Sequence, residues 1–85
     1  MIMHIGENNF VYKEDIIAIL DKKTAEASKK TREFLSNLID KGSVIGDIDE
    51  HTKSYILILN GKNNPQIYTS NISSKALINR NIISV

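Results

Sequence analysis

Eighty-five residues make one domain, spanning residues 1–85, with a marginal core: a chain of this size buries only about 60% of its unfolded surface. Eleven basic and ten acidic residues leave a net charge of +1, which is neither the plain basic stripe of a dedicated nucleic-acid binder nor the imbalance of a disordered tail. The absence of cysteine excludes disulfides and thiolate metal sites and fits a reducing, cytoplasmic setting.

The opening MIMHIGENNF lacks a basic segment and a long apolar core, so it does not read as a signal peptide. Ile2, Met3 and Ile5 form a first strand with His4 inside it, ended by Gly6. Glu7-Asn8-Asn9 is a turn by composition, and Phe10-Val11-Tyr12 completes a hairpin. After the polar break Lys13-Glu14-Asp15 comes Ile16 to Leu20, five apolar residues without alternation. That is the pattern of a strand buried on both faces, or of a buried helical turn. The three isoleucines favour strand.

Thr24 is the expected cap of one long helix, Ala25 to Lys41. Ala27, Thr31, Phe34, Leu35 and Leu38 share a helical face, and Glu26 and Lys30 form a favourable i,i+4 pair. Gly42 stands where a helix C-terminus takes glycine. Val44 to Ile48 is a weaker strand interrupted by Gly46, and Asp49 to Thr52 is a turn. Tyr55 to Leu59 is a second unbroken apolar run. Asn60 to Pro65 reads as a loop of about six residues, and Gln66 to Ser70 as an alternating strand. Ser73 caps a short helix, Ser74 to about Arg80, and an apolar tail follows. The order of elements gives an α+β domain: a small, mostly antiparallel sheet with one long helix and a short C-terminal helix.

A sheet covered on one face should alternate apolar and polar residues. Ile16–Leu20 and Tyr55–Leu59 do not alternate, so something covers the second face. A partner subunit is the simplest cover, and the pattern predicts a homo-oligomer. The alternative is a monomer with its two helices on opposite faces.

No motif for catalysis or cofactor binding is present. His4 and His51 have no ligand spacing between them, and the four glycines are isolated rather than a phosphate loop. The serines sit beside no base, and Glu14, Asp15, Asp47, Asp49 and Glu50 lie at turns, where solvated carboxylates are ordinary. The residues therefore predict no enzyme, no metal and no cofactor. The basic residues of the long helix are interleaved with Glu26, Glu33 and Asp40, which makes a mixed solvated face. Lys53, Lys62, Lys75 and Arg80 have fewer acidic neighbours, so the C-terminal half is the better candidate for a phosphate-binding surface.

Five segments together carry a family resemblance: Met3-His4-Ile5-Gly6, Asp15 to Asp21, Arg32-Glu33-Phe34-Leu35, Lys53 to Ile58, and Ile67 to Ser74 followed by Leu77 and Arg80. In order and spacing the chain resembles the RemA/RemB family of small bacterial extracellular matrix regulators. Asn71 replaces an expected proline, and Asn60 to Pro65 is longer than usual. The resemblance implies a ring-forming transcription regulator of biofilm matrix genes that binds double-stranded DNA through repeated basic residues. Those positions fall at Asp15, Glu50, His51 and Lys53, and only Lys53 is still basic. The expected DNA-binding residues are Lys53, His51, Lys75 and Arg80. The charge reversals at Asp15 and Glu50 favour a second reading, an oligomeric protein-interaction module of the same fold without DNA binding.

Overall fold

Ser54–Leu59 forms β5, the strand around which the other layers pack in the computed structural model. The structure describes residues 1–6, 9–59 and 65–83, and only the backbone of residues 80–83. The expected turn at Glu7-Asn8, the loop Asn60 to Asn64 and the last two residues lie outside the described part.

The chain begins with a hairpin, β1 (Ile2–Gly6) and β2 (Asn9–Tyr12), as the turn composition predicts. The polar break Lys13–Asp15 is one turn of 3-10 helix, and the N-terminal ammonium lies 2.8 Å from the Glu14 carboxylate. That contact holds the Glu14 carboxyl below the usual range. The run Ile16–Asp21 is β3.

The long helix expected over Ala25–Lys41 is two helices, α1 (Lys22–Ala27) and α2 (Lys29–Asp40). Asp21 caps α1, accepting from the Thr24 N–H at 3.0 Å, so Thr24 is a helical residue and not the cap. Ser28 breaks the helix with extended backbone angles and caps α2 through the Thr31 N–H. Its short polar side chain offers the backbone an alternative to helix, which periodicity does not reveal. At the far end Gly42 adopts φ +71°. The Ser43 and Gly42 N–H groups return to the carbonyls of Leu38 and Ile39, closing the helix as a Schellman motif.

β4 is only Val44–Ile45, because Gly46 turns away at φ +105°. β6 (Pro65–Ser70) and α3 (Ser74–Ile83) complete the chain. The Ser73 hydroxyl caps α3 by accepting from the Ala76 N–H at 3.2 Å. Asn81–Ile83 continue that helix beyond its expected end.

The main sheet runs β3-β5-β6-β4, antiparallel except for the β4–β6 pair. Tyr55, Leu57, Ile67, Leu20 and Val44 face α1 and α2, meeting Ala25, Leu35 and Leu38. Ile56, Ile58, Tyr68, Ile19 and Ile16 face the other way, against Met3, Ile5 and Val11 of the hairpin and Leu77 of α3. The hairpin and α3 thus cover the second face from within the same chain. The unalternating run of β5 is explained by one molecule and gives no argument for a partner subunit. β3 is less deeply placed: a bulge lies between Ile16 and Ala18, and Ile17 remains 54% exposed at this edge strand. Ala27 and Phe34, expected on the buried helical face, are exposed.

Candidate nucleic-acid interface

Ser54 and Ser70 stand opposite each other where β5 begins and β6 ends, both buried. Their small side chains let β1 come close, and their hydroxyls then tie three elements together. The Ser70 hydroxyl donates to the Ile5 carbonyl and accepts from the Ile72 N–H. The Ser54 hydroxyl donates to the Ile72 carbonyl at 2.7 Å. These bonds fix the turn before α3 against the start of β5. Lys53 and the N-terminus of α3 therefore lie at one end of the sheet.

Lys53 is held by its backbone. Its N–H donates to Ser70 at 2.8 Å, and its carbonyl accepts from the Lys22 N–H at 3.0 Å. The side chain is exposed, as is that of Lys75 in the first turn of α3. Neither enters an ion pair among the described residues. The first turn of α3 carries no acid, so its positive dipole end and Lys75 act with the same sign. Arg80 follows on α3, and its side chain lies outside the described part.

The turn Asp47 to Thr52 supplies the opposing charge. Buried Thr52 organises it, donating its hydroxyl to the Asp47 carbonyl and accepting from the Asp49 N–H, each at 3.1 Å. The Asp49 carboxylate accepts from the His51 N–H at 2.8 Å. The His51 ring stands 3.6 Å from the Glu50 carboxylate, and both are exposed, so this pair is worth little. A hollow of about 330 Å³ opens beside the turn, walled by Gly6, Gly46, Asp47, Asp49, His51 and Asn71.

The structure thus brings His51, Lys53 and Lys75 to one end. It leaves Asp15 at the other, because β3 runs from Ile16 beside Ile58 to Asp21 beside Ser54. Six strand residues separate the two ends by about 20 Å. Lys22, ahead of the helix expected from Ala25, opens α1 instead. Its ammonium sits 2.9 Å from the Asp49 carbonyl, steadying the turn. Recognising Asp21 as a cap is the signal that would have placed Lys22 at the start of a helix. By count the segments that meet at this end are balanced: Lys22, Lys23, Lys53 and Lys75 against Asp21, Asp47, Asp49 and Glu50.

Among the described residues no group of three or more His, Asp or Glu side chains is placed to hold a metal ion. Among the described residues no helix is long and apolar enough to cross a membrane. A search of curated proteins finds no match to the chain. The family model for extracellular matrix regulatory protein A-like proteins matches residues 2–80, nearly the whole of the fold just described. This chain belongs to the RemA-like family.

Proposed function

We propose that this protein is a cytoplasmic, homo-oligomeric transcription regulator of the extracellular matrix, of the RemB type, which contacts double-stranded DNA through the end of the sheet that bears Lys53 and Lys75. The observation that carries the reading is the arrangement of that end within a RemA-like chain. Two exposed lysines, with no ion-pair partner among the described residues, flank the dipole of α3, held by the Ser54 and Ser70 hydrogen bonds. One copy offers few phosphate contacts. Repetition around an oligomer multiplies them, because linked weak contacts accumulate. The role proposed is regulatory; the Asp49 carboxylate and the Thr52 hydroxyl shape the neighbouring turn.

The test is retardation of random duplex DNA across a salt series. Affinity falls steeply from low to moderate salt, and Lys53→Glu weakens binding at every sequence and flattens the salt slope. Lys75→Glu does the same. An intact oligomer that retards no DNA at low salt refutes the reading. A second reading then takes its place, favoured by exposed Glu50 beside His51 and by the acid at Asp15: an interaction module that assembles without DNA.

A further inference from the structure

β4 stops at Ile45, opposite Tyr68, but β6 runs on to Ser70. Thr69 and Ser70 therefore have no strand beside them on that edge. The space left there is the hollow of about 330 Å³ at the end of the sheet. Three segments distant in sequence wall it: the end of β1, the stretch from Gly46 to Thr52, and residues 69–71. We propose that this hollow is a binding site for a small organic cation carrying amine or guanidinium groups. The inference goes beyond the DNA reading and does not depend on it.

The hollow is formed before any ligand arrives. Ser70 and Thr52 are buried in its wall, and their hydroxyls are committed to backbone groups. Glycine keeps the space open. A Cβ on Gly46 would run into the Thr69 hydroxyl, and one on Gly6 would stand 2.6 Å from the Asn71 Oδ1. Two parts of the wall are therefore bare backbone, each with a polar side chain close against it. The volume lies at the lower end of the range of small-molecule sites, about 300–1,000 Å³, which suits a ligand of modest size. Chemistry selects its class. Among the described residues the Asp47 carboxylate, the Thr69 hydroxyl and the Asn71 amide enter no hydrogen bond or ion pair, and each offers an oxygen acceptor. Asp47 and Asp49 add negative charge, and no lysine or arginine lines the hollow. His51 is the one lining group that can become positive, and its ring stands against Glu50. Anions are repelled from such a wall. A cation rich in N–H donors satisfies the three acceptors at once, through charge-assisted hydrogen bonds at the carboxylate. A bare metal ion fits poorly, because no three acidic or histidine side chains converge among the described residues.

The experiment is an NMR titration of the full chain with agmatine, which carries one amine and one guanidinium, at constant ionic strength. The amide signals of Gly46, Asp47, Thr69 and Asn71 shift most, and they saturate at one ligand per chain. Asp47→Asn keeps the backbone carbonyl that Thr52 uses and removes the charge, so it weakens binding about tenfold or more, the share of a hydrogen bond to a charged group. Asn71→Ala weakens it less. Glu33→Gln, on α2 and outside the hollow, binds agmatine as the wild type does. Shifts that never saturate, or that scatter over the exposed acids, overturn the proposal. So does an Asp47→Asn chain that folds and binds as tightly as the wild type. Inorganic phosphate or calcium ion producing the same shifts at the same residues assigns the hollow to another ligand class and also overturns it. DNA retardation is read separately, so failure here and failure of the regulatory reading are distinguishable.

Discussion

Replacing Ser70 by alanine removes one hydroxyl and should cost far more than its exposure suggests. Ser70 is 4% exposed and bridges residues 65 apart in sequence. Its hydroxyl satisfies the Ile5 carbonyl and the Ile72 N–H. In the Ser70→Ala variant both backbone groups lose that partner behind the β1 strand. A buried polar group left unsatisfied costs about 1–3 kcal/mol, so the pair predicts a loss of about 2–4 kcal/mol. A domain of this length has a total stability of about 4–13 kcal/mol, so the loss is a large fraction. With a urea m-value near ~1 kcal/mol/M, the unfolding midpoint falls by about 2–4 M. Ser73→Ala removes an exposed cap and supplies the comparison, at about 1 kcal/mol. If Ser70→Ala unfolds within about 0.5 M urea of the wild type with the same m-value, water or a rearranged backbone satisfies the two groups. The hydroxyl then does not hold this end of the sheet.

Gly46→Ala lowers the melting temperature for two reasons: φ +105° strains any L side chain, and an added Cβ runs into the Thr69 hydroxyl. Combining it with Thr69→Ala recovers part of the loss in a thermal melt, since only the steric share is relieved. Ser28→Ala removes the cap between α1 and α2 and costs about 1 kcal/mol, read as a fall in melting temperature of about 4–8 °C. Burial, with a smaller push from the Glu26 carboxylate, raises the Tyr55 phenol above its ordinary range. The neutral form is therefore favoured in the fold. This contribution is intact below the unfolded phenol's pKa near 10 and is lost as pH rises through the higher folded value. Ring resonances followed by NMR show Tyr55 titrating late, and Glu26→Gln brings it earlier. Titration at or below the ordinary phenol range refutes the burial argument.

Much of the fold was legible because local chemistry agrees with it. Gly42, Ser73 and the period-2 pattern of Gln66–Ser70 each act over a few residues, and each appears where the sequence puts it. The sequence also determined that Tyr55–Leu59 is buried on both faces. It did not say by what. Tertiary structure decided that the cover is the chain's own hairpin and α3, because that depends on Ser70 meeting Ile5 across 65 residues. The break at Ser28 was hidden for a different reason: helical periodicity runs through it, and the competing hydrogen bond of one hydroxyl leaves no mark on the apolar pattern. At the candidate site, composition alone picked out Lys53 and Lys75. Only the fold set them beside the Asp47–Thr52 turn and placed Asp15 at the opposite end of β3, since which charges face one another follows from strand register and not from their order along the chain.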